Sequence, residues 1–448
     1  MTDHPQGRMM LLACALLLAC SSALAQASAP ATATPPRLLT LEEAVRTARE
    51  RQPSLVQARA SAAAAAARER QALSALLPQV SGTASYSRST FNSAPRPGLT
   101  SATVARTNSW STDDYYSFGA SASELIYDFG RTSGRWRAAG ASAEAEKATE
   151  RAALLDAVLA VRTSYFTARA AKDLVGVARD NLANLEAHLR QIQGFVAAGT
   201  RPEIDLAQAR TDRANGRVQL INAENGYETA KAQLNQVMGV EGPTDYDVAG
   251  ETLPPVAAED QGIDPLLEEA LRDRPDLAAL DRQVRAQELT LSATRGAFGP
   301  SLGVSTGITD AGTSLDSTAW NWSATLTLSW DLFQGGLTRS QVAEARANLD
   351  GIRAQRDQLR QKVRLELEQA RLAVRAAKSA LDAAGEALVN ARERLRLAEG
   401  RYRAGAGSVI ELGDAQVALT TAAAQRVQAE YSLASARAQL MRALGRET

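Results

Sequence analysis

Two periodicities share this chain. Leu367, Val374, Leu381, Leu388, Leu395 and Tyr402 recur every seven residues, and Ala370, Ala377, Ala384, Ala391 and Ala398 form a second row three places later. That spacing is the seam of a long helix packed along another helix. The same pattern occurs earlier in Leu154, Val161, Ala168, Val175, Leu182, Leu189 and Val196, with Ala171, Ala178, Leu185 and Ile192 as the second row. No proline interrupts residues 131–201 or 337–448. Each half therefore predicts a helix of about 65 residues, about 100 Å long at 1.5 Å per residue. The helices end at Gly199-Thr200-Arg201-Pro202 and at Gly405-Ala406-Gly407-Ser408. Glycine supplies the positive φ of a helix end, and proline or serine opens the next helix. Two long antiparallel helical hairpins follow from these breaks.

The second period is two. Trp320, Trp322, Ala324, Leu326, Leu328 and Trp330 alternate with Asn321, Ser323, Thr325, Thr327, Ser329 and Asp331. Three more segments alternate in the same way. Val80, Gly82, Ala84 and Tyr86 stand against Ser81, Thr83, Ser85 and Ser87. Tyr116, Phe118, Ala120 and Ala122 stand against Ser117, Gly119, Ser121 and Ser123. Leu302, Val304, Thr306 and Ile308 stand against Gly303, Ser305, Gly307 and Thr309. A strand of about 11 residues, tilted, is long enough to cross a bilayer, and aromatic residues collect at the two interfaces. Trp320, Trp322, Trp330, Tyr86 and Tyr116 are the candidate girdle, in contact with membrane lipid, and the small hydroxylic face suits a water-filled lumen. A single strand of this kind fits a half-exposed soluble sheet equally well; four in two hairpins favour lipid. Four strands do not close a barrel, and open edges are not tolerated in lipid. Several copies must pool their strands: two give eight and three give twelve, and the alternation does not choose between them.

The chain also repeats itself. Residues 194–239 align without a gap to residues 400–445, with about 14 of 46 positions identical. Pro53 matches Pro275, and Pro78 matches Pro300, at slightly different offsets. We divide the chain into a first unit at 38–239, with a β-hairpin at about 80–127 and a helical hairpin at 131–239. A Pro-, Gly- and acid-rich linker follows at 240–262. The second unit is 263–445, with a β-hairpin at about 301–331 and a helical hairpin at 336–445. The loops at about 91–114 and 310–319 are polar and carry no recognisable ligand motif.

Composition narrows the function. Lys+Arg and Asp+Glu both number 50, so the basic excess of a nucleic-acid-binding protein is absent. Arg8 precedes an apolar run at 9–19, and Ala23-Leu24-Ala25 fits a cleavage site, which reads as a signal peptide at 1–25. Both cysteines, Cys14 and Cys20, fall inside it. Plain cleavage is favoured, though Leu17-Leu18-Ala19-Cys20 also approximates a lipidation motif that would retain Cys20. No other run of about 18 apolar residues predicts a membrane helix. The two histidines, His4 and His188, form no paired metal motif, and there is no nucleophile elbow or phosphate loop. No catalytic residue, metal site or cofactor is expected, and His188 is read as a surface residue of a long helix.

The duplicated helix, strand, strand, helix, helix order resembles the TolC family of outer-membrane efflux and secretion channels. So do Leu41-Glu42-Glu43-Ala44, the junctions Tyr127-Asp128-Phe129-Gly130-Arg131 and Trp330-Asp331-Leu332-Phe333-Gln334-Gly335-Gly336, and Tyr402-Arg403-Ala404-Gly405 followed by Ile410-Glu411-Leu412 and Asp414-Ala415. The resemblance spans essentially the whole chain after the signal. It implies a mostly α protein with a membrane β part: long coiled-coil hairpins forming an α-barrel, and four strands per chain in a twelve-stranded barrel shared by a homotrimer. It further implies a passive conduit for a tripartite efflux pump or type I secretion system, partnered by a periplasmic adaptor and an inner-membrane transporter.

Glu411 and Asp414 match the family's acidic ring at the pore entrance, and Asp205 and Tyr402 its closing latch. The tips Gly199, Thr200, Arg201, Gly405, Ala406 and Gly407 match its adaptor contacts. The family often has an arginine two residues after the second-turn glycine; Gly407 stands there, and Arg201 is the candidate replacement. The competing readings are a periplasmic adaptor and a structural coiled-coil envelope protein. An adaptor carries one helical hairpin, whereas this chain carries two.

Overall fold

The computed structural model describes residues 37–90, 92 and 109–447. The signal segment, Cys20 and most of the first polar loop lie outside the described residues. The chain begins with β1 (Arg37–Leu39), α1 (Leu41–Arg51), α2 (Pro53–Ser74), β2 (Gln79–Ser89), β3 (Asp113–Tyr127), α3 (Arg131–Ala197) and α4 (Glu203–Met238). After β4 (Tyr246–Val248) the order recurs as α5 (Ile263–Asp273), α6 (Pro275–Gly296), β5 (Ser301–Gly312), β6 (Thr318–Ser329), α7 (Leu337–Arg403) and α8 (Val409–Leu444). Corresponding helices have equal lengths. They have 11 residues in α1 and α5, 22 in α2 and α6, 67 in α3 and α7, and 36 in α4 and α8.

Local chemistry sets the breaks. Pro53 and Pro275 open α2 and α6, and the residues before them, Gln52 and Arg274, are extended at ψ 118° and 121°. A residue before proline is barred from the helical region by the proline ring, so α1 and α5 end there. Gly239 and Gly445 close α4 and α8 with φ of 69° and 80°. A Cβ on Gly239 would lie 2.7 Å from the Arg51 carbonyl oxygen, and one on Gly445 would lie 3.0 Å from that of Asp273. Each glycine thus ends its helix and lets it pack on the proline break of its own repeat.

The strands form one antiparallel sheet in the order β2-β3-β5-β6. Its register aligns Ala84 with Phe118, Phe118 with Asp310, and Asp310 with Trp320. All four apolar alternations thereby fall on one face, and all four hydroxylic alternations fall on the other. β5 reaches Gly312 and β6 starts at Thr318, so the second loop is five residues, shorter than the 310–319 expected. Asp310 accepts a hydrogen bond from Thr318 Oγ1 at 2.9 Å, which ties the strand ends together. The outer edges of β2 and β6 have no partner strand among the described residues.

Below the sheet the helices keep the same lateral order: α2 lies beside α3, α3 beside α6, and α6 beside α7. α4 packs on α3, while α8 packs on both α7 and α3. In α7 the expected seam is buried at Leu367, Ala370, Val374, Ala377, Leu388, Ala391, Leu395, Ala398 and Tyr402, with Leu381 and Ala384 half-buried. In α3 the seam is only partly buried, and Leu155, Val158, Tyr165 and Phe166 are buried beside it. The reason is position: α3 touches α2, α4, α6 and α8, so more than one stripe of it is covered. Midway along the helices, β1 and β4 pair in parallel. The buried Tyr165 hydroxyl donates to the carbonyls of Leu39 and Ala249, pinning that pair to α3.

Candidate functional site

The two helical turns farthest from the sheet bring most of the candidate residues together. Gly199 and Gly405 take φ of 70° and 75°, the left-handed conformation at which glycine ends a helix without steric cost. Pro202 precedes α4 in an extended conformation. Ser408 caps α8, its side chain accepting the Glu411 amide at 3.1 Å. Gly407 is buried, and a Cβ there would stand 3.0 Å from the Tyr402 nitrogen, so a larger residue would press on the end of α7.

Tyr402 is the centre of the arrangement, 1% exposed at the end of α7. The Arg201 guanidinium carbon stands 4.5 Å from its ring centroid, and Arg201 Nη2 donates to the Tyr402 carbonyl at 3.3 Å. The turn of the first repeat is thereby docked on that of the second. The sequence offered Arg201 as a salt-bridge replacement; within the chain it makes a cation–π contact with Tyr402. The ion pair across the second turn is a different one, Arg401 Nη1 to Glu411 Oε1 at 3.2 Å.

Asp205 is 8% exposed in the first turn of α4. The Tyr402 hydroxyl is buried with no hydrogen-bond partner, so no bond joins it to Asp205. Burial, and then the Asp205 charge, push the Tyr402 hydroxyl above its ordinary pKa, against the opposing pull of Arg201. His188 was read from the sequence as a surface residue. It is half-buried, its ring edge-on to Tyr402 at 5.4 Å. Burial draws its pKa below the ordinary value, while Asp212, Glu399 and Asp205 oppose the shift. The heptad gave no signal for this contact, because His188 immediately precedes the seam residue Leu189 and meets Tyr402 only where the ends of α3 and α7 come together at the turns.

Asp414 is exposed and Glu411 half-exposed. A cleft of about 730 Å³ between α3, α4 and α8 is lined by His188, Asp205, Asp212, Ile410 and Asp414. Its wall is acidic and holds apolar side chains among the carboxylates. Ile204 and Ile410, at matching places in the two repeats, are 73% and 71% exposed beside these turns.

At the opposite end the girdle candidates share the apolar face of the sheet. Tyr86 and Tyr116 are cross-strand neighbours with ring centroids 5.1 Å apart. Trp320 and Trp322 are exposed near the loop end. Trp330 lies just beyond β6 at the helix end, its indole donating to the Phe298 carbonyl at 3.1 Å. Asp128, buried at the β3–α3 junction, accepts the Thr132 amide at 2.7 Å and so caps the first turn of α3.

This geometry has known counterparts. The chain is similar to the probable outer membrane lipoprotein SilC of Salmonella typhimurium, 26% identical over 199 residues, covering 43% of this chain and 42% of the relative. It is similar to the solvent efflux pump outer membrane protein SrpC of Pseudomonas putida, 28% identical over 225 residues, covering 48% and 44%. The aligned region thus spans less than half the length of these curated relatives. Among solved structures, CusC matches with a TM-score of 0.78 at 21% identity, over 91% of this chain and 92% of that one. The Campylobacter jejuni CmeC outer membrane channel matches with a TM-score of 0.79 at 21% identity, over 90% and 85%. At such identities the structural likeness establishes the fold. The family model for outer membrane efflux proteins matches residues 44–240 and 266–446, most of both repeats. The chain belongs to the outer membrane efflux protein family.

Proposed function

We propose that the protein is a passive outer-membrane channel through which an inner-membrane transporter and a periplasmic adaptor export cargo. The observation that carries this reading is the four-stranded sheet, with its apolar alternations on one face and two edges unpaired among the described residues. In lipid such a sheet is stable only if its edges are closed. Three copies would close it at twelve strands and would continue the wall downward as α2, α3, α6 and α7. The names of the relatives, and the family itself, support a channel component over a periplasmic adaptor.

In this reading Tyr402 and Arg201 hold the helical turns together, Asp205 lies beside them as a gate residue, and Glu411 and Asp414 line the entrance. The turns at 199–201 and 405–407 meet the adaptor. Trp320, Trp322, Trp330, Tyr86 and Tyr116 lie at the lipid interfaces. Cys20, outside the described residues, is a candidate lipidation site. Carboxylates gathered around a narrow opening would favour cations.

Two measurements test this. Membrane fractionation and chemical crosslinking should recover the protein from the outer membrane as a trimer; a water-soluble monomer would refute the channel. In planar bilayers, replacing Glu411 and Asp414 together by Ala should lower cation selectivity, and unchanged selectivity would refute their role at the entrance.

A further inference from the structure

Charge is sorted between the two faces of the sheet. Along the strands, Arg88, Asp114, Glu124 and Asp310 all lie on the apolar-patterned face, in register with Tyr86 and Trp320 rather than with the serines. Arg88 and Asp114 are directly opposed and lie 3.6 Å apart. The other face is built differently. One row across all four strands reads Ser81, Ser121, Gly307 and Ser323, and the rows to either side hold only Ser, Thr, Gly, Asn and Gln. The Ser81 and Ser121 hydroxyls are 2.9 Å apart, so the wall partly satisfies itself. On this face the ionisable groups of the described strands are Asp113 and Tyr115, both at the loop end of β3.

We infer that the membrane section of the bore is blind to charge. It is a neutral hydroxyl and glycine wall that takes anionic, cationic, zwitterionic and uncharged cargo alike, and it leaves any selection by sign to the helical end. The inference rests on the channel reading given above and goes beyond it. A fixed charge on a pore wall attracts or repels solutes within about 10 Å at ordinary salt. Filters that choose by sign carry rings of such charges. The strands of this protein do contain charged residues, but apart from Asp113 at the loop end the alternation places them on the side away from the bore. Small side chains also keep the bore wide, and between its ends the wall offers no aromatic face on which a ring could stack.

Single cysteines read this potential directly. The chain's own cysteines are Cys14 and Cys20 alone, so the unsubstituted protein gives the background. Ser121→Cys, Ser323→Cys and Leu328→Cys would be expressed in intact cells. Each would be treated with two methanethiosulfonates of similar size, one a trimethylammonium cation and one a sulfonate anion. At Ser121→Cys and Ser323→Cys both reagents should react. Their rate ratio should match that for a free thiol in solution within about twofold, and it should not change between low and high salt. A bias beyond about tenfold at either site that collapses on adding salt would overturn the inference while leaving the channel intact. Leu328→Cys, on the lipid side, should react with neither reagent. If Leu328→Cys reacts and both serine positions resist, the face assignment is inverted, and the channel reading fails with the inference.

Discussion

Arg201 is the residue on which the docking of the two helical turns depends most. Tyr402 is almost fully buried, and the Arg201 guanidinium covers its ring at 4.5 Å. A desolvated contact of this type contributes about 2 kcal/mol. The hydrogen bond to the Tyr402 carbonyl adds about 1 kcal/mol. Arg201 remains half-exposed, so we expect Arg201→Ala to lose about 2 kcal/mol in total. That corresponds to a roughly 30-fold shift toward detached turns. Amide hydrogen exchange on the folded protein in detergent reads this equilibrium, because exchange from a turn follows its local opening. The amides to follow are Gly199, which donates to Val196, and Ala406 and Gly407, which both donate to Arg401. All three should exchange faster in Arg201→Ala. Arg201→Lys keeps the charge but loses the planar stacking, so it should fall between. Arg210→Ala, an exposed arginine on α4 beyond the turn, is the control. If Arg201→Ala exchanges no faster than Arg210→Ala, the docking role assigned to this contact is wrong.

Three further outcomes are expected. Glu259 accepts two hydrogen bonds from Arg437 at 3.0 Å and one from the Val256 amide at 2.9 Å, and it pairs with Lys378 at 2.7 Å. Burial alone would raise its pKa, but these partners prevail and hold the carboxyl at about 2. A carboxyl depressed in the folded state stabilises above its unfolded pKa and loses that stability as pH falls toward 2. Glu259→Gln should therefore cost on the order of 3 kcal/mol at pH 7 and about 1 kcal/mol at pH 3, read by denaturant titration. Gly239→Ala should destabilise by more than about 2 kcal/mol, against about 1 kcal/mol for Gly199→Ala. Both have positive φ, but only the first would drive a Cβ into backbone, and equal losses in thermal melts would refute the packing argument. His188 has its pKa lowered by burial, so its contribution is complete above about pH 6.5 and declines as pH falls through that value. His188→Phe should flatten the drop in melting temperature between about pH 7.5 and pH 5.5; an unchanged drop would place the titration elsewhere.

Local pattern alone determined a great deal about this protein. Leu367 to Tyr402 specified a long helix because seven-residue spacing keeps one stripe facing a partner. Trp320 to Trp330 specified a two-faced strand because side chains alternate across a sheet. Pro53 and Pro275 specified breaks because the constraint on the preceding residue is covalent. The turn glycines specified the helix ends for a similarly local reason. The tertiary structure decided what depends on which elements become neighbours. It covered α3 on several sides and so buried Phe166 beside the seam. It brought Arg201 onto Tyr402 across 201 residues of chain in a cation–π contact, and it drew His188 in against the same ring. It also set the strand register that places every apolar alternation on one side of the sheet. Periodicity fixes which side of an element is apolar, but not the azimuth at which two distant elements meet; that angle comes from packing all of them at once.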